Sequence, residues 1–175
     1  MKSIVQNGDE VLREIAKPVP EKLFGTEELS GIIVDMAEAL DRELDGVALA
    51  APQIGLSYRI FIVRKDRTLP QPPMDMPAHT PEIEVFINPE IVKTSRKRQY
   101  ADEGCLSVRG IYGTTHRHER VTVRARREDG TSFERGGGGL LAQIFEHETD
   151  HLNGILFIDH ADKLVELRHT EDDNA

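Results

Sequence analysis

The sequence at residues 139–154 is Gly-Leu-Leu-Ala-Gln-Ile-Phe-Glu-His-Glu-Thr-Asp-His-Leu-Asn-Gly, which predicts both a helix and a metal site. Its apolar residues recur at near-helical spacing, at Leu140, Leu141, Ile144, Phe145 and Leu152. His147 and His151 stand four residues apart, so both imidazoles project from one face of the helix. Glu148 completes the pattern His-Glu-x-x-His. In this pattern the histidines bind a divalent metal, and the glutamate moves protons for a metal-bound water.

A metal site of this kind needs a third protein ligand. His160 is one candidate, but Asn153-Gly154 is typical of a helix end, so no helical register brings His160 to the metal. We interpret it as a surface histidine. Cys105, the only cysteine, is the better candidate, because its thiolate would complete a Cys-His-His set with an open position for water. The alternative is that Cys105 is a small buried hydrophobic residue.

Three motifs resemble the signature motifs of peptide deformylases and occur in that family's order. They are Gly46-Val47-Ala48-Leu49-Ala50-Ala51-Pro52-Gln53, Glu103-Gly104-Cys105-Leu106-Ser107 and His147-Glu148-Thr149-Asp150-His151. Shorter similarities, at Leu12-Arg13, Asn88-Pro89 and Leu156-Phe157-Ile158-Asp159, extend the resemblance over most of the chain. The resemblance implies that Cys105, His147 and His151 bind one divalent metal. Iron(II) is the ion it favours, and zinc, nickel or cobalt would suit the same ligands.

The resemblance also implies a reaction, the removal of the formyl group from the N-terminal formylmethionine of nascent polypeptides with release of formate. In that reaction a metal-bound hydroxide attacks the formyl carbon, and Glu148 carries the proton to the leaving amine. The Gln53 side-chain amide and the Leu106 backbone N–H would stabilise the oxyanion. The expected peptide contacts are Gly46, Ala48 and Tyr112.

Five residues depart from the pattern of the family. Ala48 stands where glycine is usual, and its methyl group would intrude where the backbone pairs with substrate. Gln143 and Glu146 take the places of an arginine and a glutamine before the first histidine. Arg109 replaces a proline, and Tyr112 stands where an arginine often helps to hold the peptide. We therefore expect hydrolysis with an altered peptide preference.

Two other functions stay open at the level of the sequence. A zinc endopeptidase would use the same His-Glu-x-x-His pattern, although Phe157 stands where metzincin peptidases have their third histidine. A protein with a structural metal, or one that only binds formyl peptides, would explain the unusual substitutions. A structural site is closed, so it would need a fourth ligand such as His118 or His160.

Length and composition predict one compact domain over residues 1–168, which the resemblance implies is catalytic, followed by a short acidic tail, residues 169–175, that we expect to be disordered. The net charge of -9 argues against dedicated nucleic-acid binding. No apolar run is long enough for a membrane span, and Met1-Lys2-Ser3 leads into polar residues, so we do not expect these residues to form a signal peptide. A single cysteine fits the reducing cytoplasm. A transient contact with the ribosome stays open.

The predicted fold class is α+β, with short antiparallel strands around the central metal-binding helix and a second helix packed outside. That second helix is capped by Thr26 and presents the apolar stripe Leu29, Ile32, Ile33, Met36, Leu40 and Leu44 before Asp45-Gly46 ends it. Strands are predicted at 58–63, 84–88 and 91–94, with a hairpin at 121–127 and 131–135 and a surface loop at 64–81.

Two acidic residues are candidates for supporting the site from outside the ligand set. Glu103 would either pair with Arg117 or Arg120 and support the cysteine loop, or form an ordinary surface ion pair. Asp150 would either accept a hydrogen bond from a ligand histidine or face solvent.

Overall fold

The computed structural model describes residues 2–167. Within them the chain forms two α-helices, α1 (Glu27–Asp41) and α2 (Leu140–Leu152). The strands are β1 (Ala48–Ala50), β2 (Ile60–Arg64), β3 (Ile83–Thr94), β4 (Arg98–Cys105), β5 (Val108–His118), β6 (Arg120–Arg126), β7 (Ser132–Gly138) and β8 (Lys163–Glu166). Short 3-10 turns, such as Ala51–Ile54 and Lys65–Thr68, connect them.

The strands form two antiparallel sheets. One has five strands in the order β1-β2-β3-β6-β7, and the other has three strands in the order β4-β5-β8. Helix α2 contacts strands of both sheets, so it lies at the centre of the molecule. The predicted α+β class, with one central and one outer helix, is confirmed.

Strand β2 shows why the five-stranded sheet needs a helix on each face. Its residues alternate between the two faces, and all five are buried. Ile60 and Ile62 pack on the side of α1, whereas Phe61 and Val63 pack on the side of α2. On the α2 side, Phe61 stacks on Phe86 with ring centroids 4.6 Å apart. The apolar layer on this side packs α2 against the sheet, which fixes the residues that α2 carries, and the other layer packs α1 against the opposite face.

A backbone requirement sets the C-terminal end of α2. Gly154, just after the helix, has a φ of +72°, which favours glycine. A Cβ atom at this position would lie 2.5 Å from the carbonyl oxygen of Arg13. The N-terminal segment therefore passes directly over the end of α2, and the Ala16 N–H donates to the Leu152 carbonyl at 2.9 Å.

Two predictions of the sequence are wrong in detail. Helix α1 ends at Asp41, so Leu44 falls outside it and is 89% exposed instead of completing the apolar stripe. The predicted strands 84–88 and 91–94 form the single strand β3, which has register shifts against β6 and an Asn88 φ of +49°. The hairpin is confirmed as β6 and β7, and Val121, Val123 and Ala125 face the core.

Two further predictions concern the surroundings of this fold. The predicted disordered tail, residues 169–175, lies outside the described residues. Within residues 2–167, neither helix has the length and apolar character that crossing a membrane requires.

Candidate active site

Three potential metal ligands meet where α2 faces the end of β4. Cys105 is the last residue of β4, and α2 carries His147 and His151 one turn apart. Their ligand atoms all lie within 4.8 Å of one another. The Cys105 Sγ is 3.3 Å from the His151 Nε2, and the two imidazole rings have centroids 4.9 Å apart. Within residues 2–167 this is the only group of three or more such side chains that is so compact.

The spacing of two of these donors matches that around a bound divalent metal. Donor atoms around a tetrahedral ion, at bond lengths of about 2.0–2.3 Å, lie roughly 3.3–3.8 Å apart. The separation of the Cys105 Sγ and the His151 Nε2 is in this range. His151 is buried, and its Nδ1 has no hydrogen-bond partner among the described residues. One thiol and two imidazoles are a donor set that suits zinc or iron(II).

Glu103 orients the first histidine. Its carboxylate lies 2.5 Å from the His147 Nδ1 and accepts hydrogen bonds from the Arg117 guanidinium and the Thr115 hydroxyl. Burial raises the pKa of Glu103, but the hydrogen bonds from His147 and Arg117 outweigh it and hold this pKa well below its usual range. An ionised carboxylate only accepts, so the His147 Nδ1 carries the proton and its Nε2 lone pair is free for a metal.

Glu148 is a buried carboxyl group with an unusual pKa. It is 3% exposed, and its Oε2 has no hydrogen-bond partner within residues 2–167. Burial is the main cause that raises its pKa to about 7. A group that titrates near neutral pH can both accept and return a proton at that pH. Glu148 lines the same cavity as Cys105 and His147, so it is placed for proton transfer there.

Gln53 presents its amide N–H groups to the thiol. Its Oε1 accepts a hydrogen bond from the Ala50 backbone N–H at 2.9 Å, which fixes which end of the amide points into the site. Its Nε2 lies 3.6 Å from the Cys105 Sγ and 3.2 Å from the Ser107 Oγ. Leu106 lies between these two residues in the β4–β5 turn. Donors held in this way by the fold suit the stabilisation of a developing negative charge.

A cavity of about 770 Å³ opens in front of these groups. The predicted peptide contacts Gly46, Ala48 and Tyr112 all line it. Ala48 begins β1, an edge strand that pairs only with β2. Tyr112 is half-exposed, and its ring covers Gly104 so closely that a Cβ there would meet it at 2.8 Å. Much of the remaining wall is apolar, with Val47, Leu106, Val108, Leu140 and Ile144 among its residues.

The other three residues that depart from the family pattern each form hydrogen bonds or ion pairs within the chain. Arg109 forms a bidentate ion pair with Glu43. The Gln143 Nε2 donates to the Asp102 carbonyl at 2.8 Å. Glu146 accepts from the His118 backbone N–H at 2.8 Å and lies 2.6 Å from its Nδ1. His118 is thus turned to Glu146 and does not join the metal group.

Some supporting residues differ from the sequence interpretation. The interpretation that Asp150 bonds a ligand histidine or faces solvent is wrong, because Asp150 accepts from Arg117 at 2.7 Å and lies 3.4 Å from the His160 Nε2. His160 therefore remains outside the cluster. Ser107 was missed, although it is fully buried and its backbone N–H points to the Cys105 Sγ at 3.4 Å. The feature of the sequence that could have identified Ser107 is its position two residues after Cys105.

A helix with two histidines and a buried glutamate, facing a cysteine at a sheet end, defines the class of metal-dependent hydrolases. The particular family follows from comparison with known proteins. The family model for polypeptide deformylase matches residues 1–166, and the chain belongs to this family.

Individual relatives agree with this assignment. The peptide deformylase of Acidobacterium capsulatum is 43% identical over 158 residues, which cover 90% of this chain and 85% of the relative. The Met-Ala-Ser-bound class I type b peptide deformylase of Acinetobacter baumannii superposes with a TM-score of 0.79 at 33% identity, covering 91% of this chain and 98% of that one. The actinonin-bound form of the latter gives 0.80 at 32% identity, covering 92% and 98%.

Proposed function

We propose that this protein removes the formyl group from N-terminal formylmethionine and releases formate. The observation that carries the proposal is that the ligand atoms of Cys105, His147 and His151 lie within 4.8 Å of one another, beside a cavity lined by Cys105, His147 and the buried Glu148. Membership of the peptide deformylase family supports the same reaction. The ligands, the general base and the oxyanion donors are assigned by this proposal.

Cys105, His147 and His151 would hold the divalent ion, which supplies a Lewis acid that makes water a nucleophile near neutral pH. Glu148 takes the proton from that water and returns it to the leaving amine, for which its pKa of about 7 is suited. The Gln53 Nε2 and the Leu106 backbone N–H donate to the oxygen of the formyl group as negative charge develops on it. The position of the Gln53 amide is fixed before substrate arrives, because both ends of this amide form hydrogen bonds within the chain.

The peptide would bind beside β1. The start of β1, at Ala48, lies at the cavity, and an extended peptide there could add as a further strand on the side of β1 that does not pair with β2. Gly46 and Ala48 would contact its backbone, and Tyr112 would contact the residues after methionine. The apolar wall that includes Val108 and Ile144 would take the methionine side chain. The Met-Ala-Ser complex of the Acinetobacter baumannii relative supports binding of such a peptide.

The finer parts of the proposal concern the ion and its setting. We assign iron(II) as the working ion, with zinc, nickel and cobalt as ions that the same donors accept. We place the protein in the cytoplasm, with transient contact at the ribosome and no dedicated nucleic-acid binding. We also assign residues 1–168 to one catalytic domain.

A panel of three peptides tests the substrate. Iron-loaded protein, prepared without oxygen, is given formyl-Met-Ala-Ser, acetyl-Met-Ala-Ser and unmodified Met-Ala-Ser, and formate, acetate and free amines are measured. We expect formate from the first peptide, at least about a hundredfold slower release of acetate from the second, and no cleavage of the third. Cleavage of the Met-Ala bond would identify a peptidase. Tight binding of the formyl peptide without formate release would identify a binding protein.

A further inference from the structure

Two chain segments face each other at one end of the cavity. Residues 43–46 connect α1 to β1, and residues 106–110 form the turn between β4 and β5 and the start of β5. Both segments line the cavity. They come into close contact at Gly46, where a Cβ atom would lie 3.2 Å from the Leu106 Cδ1. One segment thus carries a proposed peptide contact, and the other carries a proposed oxyanion donor.

An ion pair joins the two segments. The Arg109 Nη2 lies 2.8 Å from the Glu43 Oε1, and the Arg109 Nη1 lies 3.0 Å from the Glu43 Oε2. Hydrogen bonds from Arg109 are the main cause that lowers the pKa of Glu43, so its carboxylate is ionised at neutral pH. Two parallel hydrogen bonds between planar groups fix orientation as well as distance. The pair therefore restrains the position of one segment relative to the other.

The same segment is held from behind by a second arginine. The Arg67 Nη1 donates to the Glu43 carbonyl at 2.7 Å and to the Gly46 carbonyl at 2.6 Å. It thus bonds to the backbone of residues 43–46, whereas Arg109 bonds to the side chain of Glu43. Arg67 thus contacts the backbone of the segment, and the Glu43–Arg109 pair joins the segment to residues 106–110.

We propose that the Glu43–Arg109 ion pair is a clamp that positions residues 43–46 across the cavity and so sets the affinity for formylated peptides. This inference rests on the proposed function. Neither side chain takes part in bond breaking, so both act as positioning residues. Loss of the clamp widens the end of the cavity where the peptide backbone binds. It raises KM and leaves kcat nearly unchanged, because Glu148 lies buried in α2 and Gln53 is held by its own hydrogen bonds, away from the ion pair.

Charge reversal and exchange test the clamp in the metal-loaded protein. Glu43→Lys and Arg109→Glu are each expected to raise KM for formyl-Met-Ala-Ser about fivefold, which corresponds to an exposed ion pair of roughly 1 kcal/mol. The double variant restores an opposite-charge pair, so its KM should return to within about twofold of the wild type. The matched control is Arg124→Glu, which breaks an exposed pair with Glu134 on the β6–β7 hairpin and should not change KM.

Hydrogen exchange gives a readout that does not depend on activity. The Gly46 N–H donates to the Glu43 carbonyl at 3.1 Å, and we expect its exchange to become faster in both single variants and to recover in the double variant. An unchanged KM in the single variants, or a KM that does not recover in the double variant, would overturn the inference. Absence of formate release by the wild type would contradict the proposed function but would not by itself test the clamp. In that case, an unchanged exchange rate of the Gly46 N–H in the single variants would contradict the clamp as well.

Discussion

Replacing Glu103 by glutamine should weaken both the fold and metal binding. The Glu103 side chain is almost fully buried, and three groups from two elements donate to it: the His147 ring of α2, and the Arg117 guanidinium and the Thr115 hydroxyl of β5. Glutamine has nearly the same shape but no charge. Arg117 donates to both oxygens of the Glu103 carboxylate. Whichever way the glutamine amide is turned, its NH2 group would therefore face an N–H donor of Arg117.

The expected loss in the free energy of unfolding depends on Arg117, the ion-pair partner of Glu103 that remains in the variant. Arg117 is 4% exposed, and without Glu103 it keeps one carboxylate partner, Asp150, at 2.7 Å. Breaking a buried ion pair from one side costs about 3–5 kcal/mol. Because Asp150 remains, we expect a loss near the lower end, about 3 kcal/mol in the free energy of unfolding. Losing the group that orients a ligand histidine should weaken metal affinity about 10–100-fold.

Two assays measure these effects separately. Urea denaturation of the metal-free protein at pH 7 gives the loss of stability, and competition with a chelator gives the metal affinity. The matched control is Glu134→Gln, which removes the partner of Arg124 at the surface and should cost less than about 1 kcal/mol. Adding Arg117→Met to Glu103→Gln removes the buried cation that has lost one of its two carboxylate partners and should recover part of the stability. A loss no larger than in the control, with unchanged metal affinity, would refute this account of Glu103.

Three further predictions concern the backbone, pH and the metal. Gly154→Ala should cost about 2–4 kcal/mol in thermal denaturation, because it adds a contact with the Arg13 carbonyl to the strain of a positive φ, whereas Gly55→Ala, with the same strain and open space, should cost about 1–2 kcal/mol. Hydrogen bonds from Arg64 hold the pKa of Asp66 well below its usual range. The stabilisation is therefore complete above the unfolded pKa of about 3.9 and is lost as pH falls through the folded pKa, so Asp66→Asn should cost about 1–3 kcal/mol at pH 7 and less at pH 3 in urea denaturation. Equal destabilisation at both pH values would contradict it. Iron-loaded protein should lose formate release in air while nickel-loaded protein keeps it, and equal, durable activity with zinc would count against iron(II).

The sequence predicted the elements whose residues follow a clear apolar period. Helix α2 was predicted from the spacing of its leucines and from the two histidines, and it runs from Leu140 to Leu152. The β6–β7 hairpin was predicted from alternation around residues 128–130. In both cases one apolar face packs against the core, so local pattern and tertiary contact agree.

Strands β4 and β5 were missed for a physical reason. Their inward-facing residues include Glu103, Thr115 and Arg117, which are polar and serve the His147 network. A strand whose buried face is polar does not show the apolar alternation on which prediction depends. The Gly104–Tyr112 contact was likewise hidden, since it depends on the register between two strands. Residues near the site thus broke the local pattern because they form the hydrogen bonds that support it.

Helix α1 shows why the predicted end of a helix can be wrong. Its apolar stripe continues in the sequence to Leu44, and Asp45-Gly46 is an ordinary helix stop, so the prediction extended the helix too far. The helix instead ends at Asp41, and Arg67 bonds to the carbonyls of Glu43 and Gly46. A side chain distant in sequence thus stabilises the non-helical segment, and no local pattern reports such a contact.

The most direct measurement is formate release from formyl-Met-Ala-Ser by iron-loaded protein and by Glu148→Gln with the same bound iron. The buried carboxyl group is proposed to move the proton, and glutamine keeps its shape but cannot accept a proton. We predict release by the wild type and a rate at least about a hundredfold lower in the variant, the usual contribution of a general base. Equal rates at equal metal content would contradict the role of Glu148. No release by the wild type, with one metal bound per chain, would contradict the proposed reaction itself.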